Sequence, residues 1–277
     1  GQQVLKIRHT DEPVGVAVYS TGLAEGLAAQ GHDVEWIAAT PWYPAWAPMD
    51  GTARGWSTRI ERGVRVRRSP HPIPRRPTAP ARLLQQAAWT CSAAPVALAA
   101  ALARRPDVVL AVAPALAAAP LALAAARLAG APAWLHLQDL EVDAAIGMHG
   151  LGARGAAAAL AGERRLLRAF DAVTTISPAM RDRVIAKGVP PARVVELRNW
   201  ADMARIGPPD RVSPLRRAWS LGDRPVALYS GVLGDKQGLD VLVAAARRLR
   251  GRPEARDLVI LICGDGPAWP RLEAAVA

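Results

Sequence analysis

Lysine is almost missing: Lys6, Lys187 and Lys236 stand alone among 277 residues that hold 35 Lys and Arg together. The positive charge is therefore arginine. With the abundance of alanine, this is the skew of a GC-rich bacterial coding sequence, so part of the formal charge of +11 reflects composition. What remains favours acidic partners such as phosphates, nucleic acid or anionic headgroups. Cysteine is nearly as scarce. Cys91 and Cys263 are far apart and lack metal-ligand spacing, which excludes a disulfide framework and predicts buried free thiols in a reducing cytoplasm. No basic-then-apolar leader opens the sequence. The most hydrophobic stretch, 108–135, is interrupted by Pro114, Pro120, Arg127 and Pro132. It reads as strand, helix and strand, so no transmembrane helix is expected. Helix-turn-helix, zinc-finger and base-stacking patterns are all missing, and nucleic acid is not an expected partner.

What is present alternates. Short β-rich runs at 3–7, 33–39, 64–69, 108–113, 133–137, 172–176 and 194–197 are separated by Ala/Leu/Arg-rich helical runs at 19–30, 81–103, 115–129, 153–169 and 179–187. That rhythm predicts parallel βαβ units. Gly31 sits where a helix stop belongs, and Ser177-Pro178 forms a helix start with serine as N-cap. A Pro/Arg-rich passage, 206–222, interrupts the pattern. The alternation resumes with strand 226–230, helix 239–249, strand 258–263 and a helix from about Ala268. The expected organisation is a Rossmann-like domain over 1–197, a linker over 198–222 and the start of a second Rossmann-like domain over 223–277. Two strands cannot close a doubly wound sheet, so the second domain is expected to be incomplete.

Ligands of open parallel sheets bind at the strands' carboxyl ends, so the residues following each strand are the candidates. Gly15, after the first strand, could let phosphate oxygens approach a helix N-terminus, or could merely shape a turn with Pro13. Trp42, Tyr43 and Trp46, held by two prolines, form an amphipathic loop suited to stacking on a sugar, to a lipid interface, or to plugging a gap between loops. Residues 54–82 carry nine arginines against one acid, Glu61. Among them Arg65, Arg67 and Arg68 are either a solvated face or a contact for an anionic membrane or a diphosphate-bearing acceptor. Strand 133–137 runs out into His136, Asp139 and Glu141, an imidazole and carboxylates gathered at one sheet edge. Their spacing suits no metal site. In the second domain, Gly231, Lys236 and the Gly264–Gly266 turn place free backbone and an ammonium where a diphosphate could bind.

In order along the sequence, Glu12-Pro-Val-Gly15, Trp42-Tyr-Pro-Ala-Trp46, Trp134-Leu-His-Leu-Gln-Asp-Leu-Glu-Val-Asp-Ala144, Thr175-Ile-Ser-Pro178, Arg198-Asn-Trp-Ala-Asp202, 229–239 and Cys263-Gly-Asp-Gly266 resemble the family 4 glycosyltransferases of colanic-acid-type exopolysaccharide synthesis. The resemblance implies an α/β GT-B fold, with an N-terminal acceptor domain and a C-terminal nucleotide-sugar domain. It implies a retaining transfer of sugar from a nucleotide-sugar donor to a polyprenyl-diphosphate-linked saccharide acceptor. No cofactor and no obligatory metal is implied. Catalysis would fall to His136, Asp139 and Glu141, and donor binding to Gly15, Asn199, Gly231, Lys236, Gly264 and Gly266. Acceptor or membrane contact would fall to Trp42, Tyr43, Trp46, Arg65, Arg67 and Arg68. The enzyme is expected in the cytoplasm, peripheral at the inner face of the plasma membrane and touching its anionic surface. Val232 departs from the arginine many relatives place after the glycine matching Gly231, and the family's paired donor-domain glutamates would fall beyond residue 277. The alternatives are a truncated, non-catalytic remnant or sugar-binding module, and, ranked last, a nucleotide-sugar epimerase. The epimerase would need acid/base histidines in the second lobe, where 201–277 has none.

Overall fold

The computed structural model describes residues 3–7, 16–42, 46–49, 55–75, 78–114, 116–149, 152–201, 203, 213–234 and 237–276. The chain divides into two compact units, Gly1–Ala201 and Asp202–Ala277. In the first, β1 (Gln3–Ile7), α1 (Val16–Ala29) and β2 (Asp33–Ala39) lead into β3 (Ser57–Glu61) and β4 (Val64–Ser69). There follow α2 (Ala79–Arg104), β5 (Val108–Ala113), α3 (Ala119–Ala129), β6 (Ala133–Leu137), α4 (Glu141–His149), α5 (Ala153–Leu167), β7 (Ala172–Thr175), α6 (Pro178–Ala186) and β8 (Val194–Glu196).

These strands form one sheet in the order β3-β4-β2-β1-β5-β6-β7-β8. All neighbours are parallel except β3 and β4. The chain builds outward from β1 through β2 to β4, then returns to add β5 through β8 on the other side. The order therefore switches between β1 and β5, where such sheets open a crevice at their carboxyl ends. From Val34 to Ala39 in β2, and from Val109 to Ala113 in β5, every residue is buried, because helices cover both faces of a parallel sheet. Trp89, Phe170, Leu110, Leu135 and Leu167 are the large side chains of that core.

The helix signals work as chemistry. Ser177 Oγ accepts the Met180 amide at 3.3 Å with Pro178 in the first turn. Gly130, at φ 70°, stops α3. Two elements of the first unit were not expected. The β3–β4 hairpin turns at Arg62 and Gly63, both at positive φ (47° and 82°). That is the geometry of a two-residue type I′ turn, whose usual Asn or Asp is here an arginine. The residues after β6, to which no helix was assigned, form α4, with Glu141 and Asp143 in a first turn that favours acids.

The second unit holds α7 (Pro214–Ala218), β9 (Val226–Ser230), α8 (Asp240–Leu249), β10 (Val259–Cys263) and α9 (Trp269–Val276). β9 and β10 are parallel, with Val226 opposite Val259. A small core of Leu233, Leu239, Val243, Ala268 and Leu272 joins the helices to the turns beyond the strands.

Candidate functional site

On β6 the side chains alternate between faces, so Trp134, His136 and Gln138 share one and Leu135 and Leu137 the other. His136 and Gln138 are buried at the carboxyl end of the sheet. Gln138 Nε2 lies 2.9 Å from His136 Nε2 and donates to Asn199 Oδ1, also at 2.9 Å. An amide nitrogen only donates, so His136 Nε2 accepts and the ring proton sits on Nδ1. That proton points at Thr174 Oγ1, 2.8 Å away, which also accepts the Trp134 indole N–H at 2.9 Å. Four elements converge in this chain of bonds: β6, its following loop, β7 and the segment after β8. His136 and Asn199 were expected at the site. Gln138 and Thr174 were not, although the i, i+2 spacing of His136 and Gln138 on one strand was a usable signal.

The other candidates after β6 take different positions. Glu141 Oε2 accepts the Leu116 amide at 2.7 Å, tying the start of α4 to the 3-10 turn Leu116–Ala118 that follows β5. Asp139 is exposed. Two residues past Glu141, Asp143 bonds the Lys187 ammonium at 2.7 Å, and Glu163 takes the same buried ammonium from α5. One of the three lysines thus cross-links α4, α5 and α6. After β8, Trp200 folds back onto α1, its ring edge-on to Tyr19 at 5.7 Å and 3.3 Å from where a Cβ on Gly22 would stand. Gly15, in the loop after β1, lies outside the described residues.

In the second unit the glycine turns pack on each other. Gly231 N donates to Cys263 O at 3.0 Å, and Leu233 N to Asp265 O at 2.9 Å. A Cβ on Gly264 would stand 1.8 Å from Gly231 O, and one on Gly266 2.4 Å from Leu233 O. Both glycines have positive φ, 153° and 152°. Close backbone approach therefore requires them, whatever ligand they also meet. Lys236 lies outside the described residues.

Two aromatics of the loop after β2 pack against their own unit. Trp42 is buried, tilted against Trp46 at 4.3 Å between ring centroids and edge-on to His71 at 6.2 Å. The Arg82 guanidinium covers Trp46 at 5.1 Å. Burial pushes the His71 imidazole down to about 4. Tyr43 lies outside the described residues. The arginines of β4 are paired within the unit: buried Glu35 meets Arg67 Nε at 2.6 Å, Arg104 Nε at 3.0 Å and Arg65 Nη1 at 3.8 Å. Arg68 bonds both Glu61 oxygens, at 2.7 and 3.1 Å, and holds that carboxyl below the usual carboxylate range. Among the described residues no group of three His, Cys, Asp or Glu is placed to hold a metal ion.

A glycosyl transferase 4-like domain matches residues 14–200, the span that contains this network. An Escherichia coli (strain K12) protein named for a glycosyl transferase of colanic acid biosynthesis, WcaI, is 37% identical over 98% of this chain and 67% of its own length. A Mycobacterium tuberculosis (strain CDC 1551 / Oshkosh) protein named GDP-mannose-dependent alpha-(1-6)-phosphatidylinositol monomannoside mannosyltransferase is 35% identical over 54% of this chain and 37% of its own. The solved sucrose-phosphate synthase of Thermosynechococcus elongatus superposes with a TM-score of 0.73 at 16% identity, covering 100% of this chain and 67% of that one. This chain spans about two thirds of the length of the WcaI and sucrose-phosphate synthase chains. The two α/β units with parallel sheets are those of the GT-B fold, and the chain belongs to the glycosyl transferase 4-like family.

Proposed function

We propose that this chain is the acceptor-side domain and the beginning of the donor-side domain of a retaining glycosyltransferase. It moves a sugar from a nucleotide-sugar to a polyprenyl-diphosphate-linked saccharide in exopolysaccharide synthesis, at the inner face of the plasma membrane. The observation that carries the reading is the His136–Gln138–Asn199 network at the carboxyl edge of the sheet, within a chain 37% identical to WcaI. The name of the mycobacterial relative joins a nucleotide-sugar donor to a lipid-borne acceptor, which supports both halves of the proposal.

The residues divide the work as follows. Gln138 and Thr174 hold both imidazole nitrogens and orient the ring, so the transferred sugar would meet His136 at Nε2 by taking the place of the Gln138 amide. Lys236 would take the donor diphosphate in the second unit, with Gly231 and the Gly264–Gly266 turn lining the donor lobe, and Gly15 is a donor-binding candidate of the first unit. Stabilising the departing diphosphate is the main catalytic demand, and protein groups meet it without an obligatory metal. The test uses the purified protein with UDP-, GDP- or ADP-sugars and a polyprenyl-diphosphate-linked saccharide. Release of nucleoside diphosphate that needs the acceptor, persists in EDTA and falls about a hundredfold in His136→Ala is expected. No release with any donor would refute the proposal.

A further inference from the structure

With the β4 arginines paired to Glu35 and Glu61 and Trp42 buried, an outward-facing apolar surface among the described residues of the first unit lies on α2. The helix is 26 residues long and carries no charged residue between Arg82 and Arg104. Its stretch Pro80–Arg104, whose most apolar 18-residue window has a mean hydropathy of 1.3, is long and apolar enough to cross a membrane by length and composition. This is not the 108–135 stretch that hydrophobicity singled out in the sequence. One face cannot meet lipid: Gln85, Trp89, Ala93, Ala97 and Ala101 are buried in the core. On the opposite face Leu84, Ala87, Cys91, Pro95 and Leu102 are exposed at helical spacing, with Leu83 beside them. The leucines stand 58–68% exposed, and the stripe runs about 27 Å from Leu84 to Leu102.

A surface helix ordinarily turns a polar face outward, so an apolar one implies an occupant. Charge selects among the candidates. Exposed Arg75 and Arg82 stand at the N-terminal end and exposed Arg105 at the other. Arg82 shares the side of Gln85 and Trp89 and covers Trp46, so Arg75 and Arg105 flank the stripe. With a second copy antiparallel, Arg75 of one would approach Arg105 of the other, and with it parallel, Arg75 would approach Arg75. Either pairing sets like charges together. Anionic headgroups instead neutralise both ends. Exposed Trp56 adds an amphipathic ring on the flank, its indole N–H bonded to Ser92 O at 3.2 Å halfway along the helix.

We propose that α2 is an in-plane docking helix. Its outward face lies at the headgroup–acyl boundary of an anionic bilayer, with Arg75 and Arg105 on the lipid phosphates. The inference deepens the reading of a lipid-linked acceptor. α2 follows β4, which runs parallel to β6, so the helix starts from the sheet edge that carries His136.

Cys91, in the middle of the stripe, provides the probe. The 277-residue chain carrying Cys263→Ala is labelled at Cys91 with an environment-sensitive fluorophore. It is then mixed with vesicles of phosphatidylcholine alone or with phosphatidylglycerol. A blue shift with the anionic vesicles, quenched by nitroxide lipids and weakened by salt, is expected. Leu84→Glu with Leu102→Glu should lower vesicle partitioning about tenfold or more while leaving circular dichroism and the unfolding midpoint unchanged, since both sites are exposed. Co-sedimentation of the unlabelled chain checks that the label is not the cause. No shift and no co-sedimentation with anionic vesicles would overturn the inference. So would binding that survives the double substitution, or a solution dimer that the same substitutions dissociate. No nucleotide-sugar enters this measurement, so its failure leaves the transferase reading standing, and a failure of transfer leaves this one.

Discussion

Gln138 illustrates how one side chain can set the chemistry of another. Its amide satisfies His136 Nε2 and Asn199 Oδ1 together, in a buried position where an unmade bond costs more than a made one contributes. Gln138→Leu keeps the volume and removes both donors. It is expected to destabilise the first unit by about 1–3 kcal/mol, read as a shift of the urea midpoint. His71 supplies a prediction about pH. Burial lowers its folded value from 6.5 to about 4, so between those values the unfolded chain binds the proton and the folded chain does not. Stability is then full above about pH 6.5 and declines as pH falls toward about 4. Thermal unfolding across that window should show a weaker pH slope for His71→Gln than for the parent. An equal slope would remove His71 from the acid response.

At the scale of elements, the turns of the second unit are built from backbone against backbone. Gly264 leaves no room for even one methyl group, because its Cβ would stand 1.8 Å from the Gly231 carbonyl oxygen. Gly264→Ala is expected to cost about 3 kcal/mol or more by displacing the β9 turn. Unfolding followed by a probe in that unit, with and without nucleotide, would separate structural loss from loss of a ligand contact. If the variant unfolds like the parent yet loses nucleotide binding, close packing is not the reason for this glycine. The edge of the first sheet follows a related rule. Glu35 could be buried only because Arg65, Arg67 and Arg104 surround it, which turns a charged patch of sequence into part of the fold.

For the molecule as a whole, the cores are unequal. The large clusters of the first unit draw on residues from Ala24 to Val194, whereas the second unit's core centres on five buried residues. A fragment ending at Ala201 is therefore expected to unfold cooperatively on its own. Residues 213–277, with a two-stranded sheet, should not. Near-UV circular dichroism and calorimetry of the two fragments would decide this, and a cooperative transition in the shorter one would be the contrary result.

Alternation of β-rich and alanine-rich segments was enough to read most strands of the first sheet, its helices and their caps, because period, N-cap serine and stop glycine are local chemistry. Order of motifs was enough to read the family. Pairing was not legible in this way. Nothing local to Arg65 or Arg67 reveals that Glu35, thirty residues earlier, will lie opposite them in a parallel register, so the arginines read as a surface. Nor does the sequence near His136 show that Thr174 will reach it, or that Asn199 will reach Gln138, since the adjacency of distant segments places them there. The exposed face of α2 is not legible in the sequence for a related reason. A helix apolar on both faces has no periodic polar stripe to mark which side the sheet will cover. Composition, period and motif order were thus the sequence's own determination. Which charges cancel, which ring nitrogen carries the proton and which face of α2 remains outward were decided only when distant segments met.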